Sequence, residues 1–330
     1  MTVAAKPEPS VSTEVRGYLD GLLDTIRKPL TTARWARCER HLASAVFDIL
    51  TSREFSYLSR SQSEPYRFSA EAILCGQIAR AERLRFFLDL GAGYHATLRP
   101  GVEPLSFDVG LGELLVLRQI AAFRQRVAEV YAEGVSFVLV IDNMAALLVN
   151  DVPLEDTTSY CRQFRSLIRS VGLEGVVSLL VESEHFAMED FERQRAALDY
   201  AAPRAVALTD RIYENVVRFL GRPCSPEEAL ERALRYEPII EVSESLLGQL
   251  IDGVHLTQRA TASTLAFRPF PGGATRIQCG EVALCHNEHG KLRPFLLTSH
   301  NVGAFELDVI PTHSVLPMPI SQVRYGRRRP

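Results

Sequence analysis

The residue pattern predicts an α/β protein built on a mostly parallel sheet. The first observation is Val135–Ile141 (VSFVLVI), an apolar run rich in β-branched residues. It is too short for a buried helix and reads as a strand covered on both faces. The second is alternation. Strand Leu84–Leu90, helix Glu113–Tyr131, strand Val135–Ile141, helix Thr157–Val171 and strand Val176–Val181 follow in turn. That order implies right-handed crossovers and a parallel three-stranded core. The third is where the unusual residues fall. A long loop over 91–112, full of Gly and Pro, follows the first strand, and Asp142-Asn143 follows the second. Ligands of open α/β sheets sit at that carboxyl edge, and long loops inside compact domains are commonly functional.

Bulk properties narrow the class. The 330 residues allow one large domain or two ordinary ones, and 46% apolar composition provides a substantial core. A net charge of −3 offers no basic field for nucleic acid. The six cysteines are scattered and form no CxxC pair, which reads as reduced thiols in the cytoplasm. No apolar run approaches the about 20 residues of a membrane span. The opening MTVAAKPEPSVST has no apolar signal core, so secretion is not expected. The basic RYGRRRP tail reads as solubilising.

At the start, Val15, Leu19, Leu22, Leu23 and Ile26 lie at helical spacing, and Pro29 ends that helix. Thr31 or Thr32 is placed to cap a second helix carrying Trp35, Leu42, Val46, Phe47 and Leu50. The two helices form a lid or, more simply, a packing layer. A polar segment separates them from a helix starting at Ser69. After Asp142 a loop is expected, stopped by Val152-Pro153, then a helix opened by Asp156 or Thr157. Residues 188–252 read as helical, broken at Pro203, Gly221-Arg222-Pro223 and Pro238. Ser225-Pro226-Glu227-Glu228 is a strong helix start. From Thr261 the pattern turns to strands, expected to extend the sheet in antiparallel fashion. The resulting division is 1–68 lead-in and N-terminal helices, 69–187 core, 188–260 helical insertion, and 261–330 C-terminal strands and tail.

Several familiar chemistries are absent. Gly91-Ala92-Gly93 lacks the third glycine and the immediate helix of a dinucleotide loop, and no P-loop, GxSxG elbow or HExxH occurs. Cys279, Glu281, Cys285, His286, Glu288 and His289 crowd one hairpin, but strand alternation splits them between faces, so no metal site is read there. Asp108 and Glu113 suit acid–base work or, as plainly, a helix start. Arg99 and Arg268, near strand ends, suit phosphate or carboxylate through their bidentate forks, or are ordinary surface arginines; Arg276 reads as surface.

The segment from Leu84 to Phe186 resembles the isonitrile synthases of the pyoverdine/dityrosine biosynthesis type, and the C-terminal strands do so more loosely. The matching elements are Leu84–Asp89, the 91–112 loop, Glu113, Tyr131 with Gly134, Ile141-Asp142-Asn143, Val152-Pro153, Tyr160 and Gly172-Leu173. The spacing from Asp142 to Tyr160 runs without a gap. The resemblance implies a Rossmann-like core with helical additions. It also implies an enzyme of secondary metabolism that turns the α-amino group of an amino acid, typically tyrosine or tryptophan, into an isonitrile. The added carbon comes from ribulose 5-phosphate, no metal or redox cofactor is required, and an iron/2-oxoglutarate oxygenase often acts next. In that scheme Asp142 orients or deprotonates the amine, and Glu113 and His95 move protons. Arg99 and Arg268 hold phosphate or carboxylate, with Asp108 and Tyr160 also at the substrate.

Departures from the family pattern are specific. The family's Phe-Pro-Ala-Lys loop falls at Tyr94-His95-Ala96-Thr97, without the lysine. Its Ser-Ile-His-Pro strand end falls at Ala266-Phe267-Arg268-Pro269, and its Pro-Trp-His element has no counterpart. Two other readings therefore stand beside the first: another amine modification, such as N-oxygenation or N–N bond formation, and a non-catalytic partner protein.

Overall fold

The computed structural model describes residues 11–32, 38–91, 93, 95–96, 105–197, 225–257, 264–268, 282–297, 302–312, 320 and 322–328. Its centre is an all-parallel five-stranded sheet of β1 (Leu84–Asp89), β4 (Val135–Ile141), β5 (Val177–Val181), β6 (Val254–Thr257) and β7 (Leu265–Ala266). The spatial order is β5-β4-β1-β6-β7, so the chain builds outward from β1 on one side and then crosses to the other. This is the Rossmann-like order, and its switch point lies between β1 and β6. The 91–112 loop carries a short antiparallel pair, β2 (His95–Ala96) with β3 (Leu105–Ser106).

Alternation along the strands loads both faces. Phe86, Leu88, Phe137 and Leu139 face α5 (Leu111–Ala128), whose Phe123 ring meets Phe86 edge-on at 5.2 Å and Phe137 at 5.7 Å. Each such fully buried ring contributes on the order of 2–3 kcal/mol of transfer free energy. Outside α5 lies α1 (Val11–Arg27), its predicted apolar stripe buried. Alongside, α2 (Glu39–Leu50) packs on α4 (Arg67–Ala79), which the short α3 (Arg60–Ser63) precedes. The N-terminal helices are thus a packing layer. α2 starts at Glu39 after Cys38, not at Thr31 or Thr32, and Trp35 lies outside the described residues.

The opposite face of the sheet, with Phe87, Val140 and Leu180, is covered by α9 (Pro226–Gly248) through Leu247. Further along, Val242 and Leu246 of α9 meet Met144 and Phe191. Phe191 belongs to α8 (Met188–Ala197), and Met144 to α6 (Asn143–Asn150), which leads into α7 (Leu154–Ser170).

Four further expectations are corrected. The predicted loop after Asp142 begins with helix α6, because NMAALLVN buries Met144, Ala145, Ala146 and Val149 under α9. α9 continues through Pro238, and the turns after the proline are packed through Ile239, Val242 and Leu246; a helix survives the loss of one amide donor where packing holds it. The span read as helical insertion to residue 260 contains β6, which sits beside the first strand of the core. A Cβ at Gly253 would lie 2.3 Å from the Arg85 carbonyl oxygen, so only glycine admits this approach.

The C-terminal strands do not extend the parallel sheet. Leu265–Ala266 joins it, in parallel. β8 (Val282–His286), β9 (Leu292–Leu296), β10 (Phe305–Pro311) and β11 (Gln322–Arg328) form a separate sheet in the order β10-β11-β8-β9. Two of its pairings are antiparallel and β11–β8 is parallel. Pro294 falls on edge strand β9, where a missing donor is tolerated. No described helix is long and apolar enough to cross a membrane.

Candidate functional site

Strands β1, β4 and β5 each deliver an acid to the carboxyl edge: Asp89, Asp142 and Glu182. Asp142 is the N-cap of α6, yet its carboxylate takes none of the helix's free amides. Those of Met144 and Ala145 donate to Oε2 of Glu182 at 3.0 and 3.2 Å, and the Ser243 hydroxyl of α9 donates to its Oε1 at 2.5 Å. Asn143 ties the next layer. Its amide donates to the hydroxyls of Thr157 and Ser183, and its Oδ1 accepts from the Ser183 amide.

Glu182 thus does the capping that Asp142 would ordinarily do. The Oδ1 of Asp142 is left shut from solvent with no hydrogen-bond partner, while the residue as a whole keeps partial exposure at a cavity wall. Burial, then the nearby charges of Glu182 and Asp89, push the Asp142 carboxyl up to about 7. Burial also raises Glu182, against the pull of its three hydrogen bonds.

The cavity has a volume of about 620 Å³. Asp89, Asp142 and His255 line it from the sheet edge, and Glu241, Glu244 and Ser245 from α9. His255 of β6 faces Asp89 of β1 across the switch point, Nε2 to Oδ1 at 2.8 Å, with the imidazole N–H donating to the carboxylate. Burial and the Asp89 charge raise the Glu244 carboxyl, partly offset by His255. No Lys or Arg is among the described lining residues. Such a site favours a cation and has acids and a histidine in place for proton transfer. Among the described residues, no group of three or more His, Cys, Asp or Glu is arranged to hold a metal ion.

The predicted site residues divide. Asp142 lines the cavity, together with Gly91 at the start of the long loop. Glu113 and Tyr160 do not; they form a pair in the core. The Tyr160 hydroxyl donates to Glu113 Oε1 at 2.9 Å, and Glu113 Oε2 accepts the Gly110 amide at 2.7 Å. Glu113 is thus a helix-start acid, and burial with the adjacent carboxylate holds the Tyr160 phenol well above its usual range. Gly93, at φ +79°, lies against that tyrosine ring. Asp108 is exposed and outside the cavity. His95 contributes backbone to the β2–β3 pair. Arg99 lies outside the described residues. Arg268 lines a different cavity. Sequence reasoning missed Asp89, His255 and Glu244. The alternation Val254-His255-Leu256-Thr257, with its apolar members in the core, was the available signal for His255.

The arrangement defines a class: an α/β protein with a doubly wound parallel sheet and an acidic cavity at its switch point. Within that class the fold is similar to that of the PvcA protein from Pseudomonas aeruginosa. The TM-score is 0.62 at 15% identity, over 86% of this chain and 99% of that one. A tyrosyl-tRNA synthetase complexed with L-tyrosine from Archaeoglobus fulgidus aligns at TM-score 0.36 and 11% identity, over 76% of this chain and 70% of that one. No protein-family model matches the chain, and no curated protein does.

Proposed function

We propose that the chain is an isonitrile-synthase-like enzyme acting on the α-amino group of an amino acid, with one carbon drawn from a sugar phosphate such as ribulose 5-phosphate. The observation that carries this reading is the unpartnered Asp142 oxygen in a cavity lined by acids. A substrate ammonium group in the cavity would counter the charge of the Asp142 carboxyl that lines it. A carboxyl held at about 7 is matched to taking a proton from that amine near neutral pH. The free amine then attacks the sugar-phosphate carbonyl carbon, and the carbonyl oxygen leaves as water as the C=N bond of an imine forms. The Asp89–His255 pair stands at the same cavity wall to relay protons. The PvcA-like fold supports the reading at the level of scaffold.

The test is incubation with each amino acid and ribulose 5-phosphate, read by mass for the isonitrile. Product formed by the wild type and lost in Asp142→Asn supports the reading; no product with any amino acid removes it. The second reading, another amine modification, is favoured by Arg268, which stands where the family has histidine and opens on a separate cavity. Stoichiometric iron in the purified protein would favour it.

A further inference from the structure

We propose that the outer face of α4 binds the same face of a second copy of this chain, antiparallel, about a two-fold axis at Ala72. α4 turns Ala70, Leu74, Gln77 and Ile78 into the protein. Its opposite face is apolar and open. Phe68 is 87% exposed, and Ala72, Ile73 and Ala79 are exposed beside it. A contiguous apolar face of this kind marks an interaction surface. Phe68, Ala72 and Gly76 follow at four-residue steps, so they form one ridge along the helix. The nearest atom that a Cβ at Gly76 would meet is the flexible guanidinium end of Arg80, at 3.5 Å. The ridge therefore rises at Phe68 and dips at Gly76.

The spacing matches this face to itself. In an antiparallel pair crossing at Ala72, Phe68 of each copy falls opposite Gly76 of the other. A bulky ring meets a dent twice, and Ala72 meets Ala72, small enough for the helices to approach closely. Pro65 falls opposite Ala79. The charges at the two ends are complementary as well. Glu64, in the turn Glu64–Tyr66 that leads into α4, falls opposite Arg80 at the far end of the helix. Both side chains are more than half exposed. Their partners within the chain leave them free to exchange: Arg67 also holds Asp48 and Glu71, and the Arg80–Glu82 pair is open to solvent. α4 is also fixed before any association. Gln77 Oε1 accepts the Arg85 amide at 3.0 Å, and the Gln77 side-chain amide donates to the Asp252 carbonyl at 3.3 Å. Arg67 ties the other end to α2. A held helix lowers the ordering cost of binding. None of these residues lines the acidic cavity, so the proposal stands without the reaction suggested above.

Sedimentation velocity on the full chain, from about 1 to 200 μM, tests it. A monomer–dimer equilibrium is expected, weak because one helix pair is a small interface. Phe68→Ser, at an open position, should weaken dimerisation at least about tenfold and leave the thermal midpoint of the monomer unchanged. Arg80→Glu should weaken it about tenfold, because the symmetry turns two attractions into repulsions at once. Adding Glu64→Arg to Arg80→Glu should restore the dimer, since the two-fold then pairs the reversed charges. Arg126→Glu, at an exposed arginine on α5, should change nothing. The proposal is overturned by a monomer at every concentration, which would leave the face to some other partner, or by a dimer that Phe68→Ser leaves intact. It is equally overturned if the double variant dimerises no better than Arg80→Glu alone.

Discussion

Replacing Asp142 by Asn should make the protein more stable at alkaline pH and progressively less advantaged as pH falls. The carboxyl has a folded-state value near 7 against 3.8 unfolded. A raised carboxyl binds its proton more tightly in the folded chain, so wild-type stability falls as pH rises between the two values. With those values, the wild type loses roughly 2.5 kcal/mol between pH 5 and pH 8 through this group, and at most about 4 kcal/mol over the whole range. Asparagine does not titrate and carries none of this loss. Urea unfolding of both proteins at pH 5 and pH 8 measures it. The stability advantage of Asp142→Asn at pH 8 should shrink by roughly 2.5 kcal/mol at pH 5. A difference between the two proteins that stays constant with pH would refute the argument. It would mean that the acid is neither desolvated nor repelled by Glu182 and Asp89. The same substitution should abolish turnover, the pattern expected where a functional charge is held at the expense of stability.

The other predictions concern neighbouring groups. Glu182→Ala strands the amides of Met144 and Ala145 and should cost about 2–4 kcal/mol in denaturant unfolding, while Ser243→Ala should cost about 1 kcal/mol. Gly253→Ala drives a methyl into the Arg85 carbonyl and should lower the thermal midpoint or prevent soluble expression. His255→Gln should leave stability within about 1 kcal/mol and lower kcat more than it raises KM, because the pair with Asp89 is half-exposed at the cavity wall.

Legibility followed burial. Val135–Ile141 and Leu84–Asp89 were readable because interior parallel strands are apolar throughout. Val254–Thr257 was not, because four residues carrying a histidine and a threonine show too little pattern beside a long helix. Asp142 stood out by ending a strong strand. Asp89 ends an equally strong one, but the glycine-rich stretch after it carries no motif that marks the acid. Glu113 and Tyr160 read as site residues, and local sequence does not reveal that they hydrogen-bond to each other in the core. Arg268 read equally as an anion-holding or an ordinary surface arginine, and only the three-dimensional course of residues 51–62 shows which neighbours it has.

The last strand in chain order, β11, occupies an inner place in the second sheet, between β10 and β8. During synthesis the β8–β9 hairpin can zip as soon as it emerges, but its open flank has no mate until some forty residues later, counting from β8 to β11. That flank is a waiting edge, the kind of exposed ladder that invites pairing with a stranger. The C-terminal sheet therefore stays incomplete until β11 arrives, and its open flank is a place where misassembly can start.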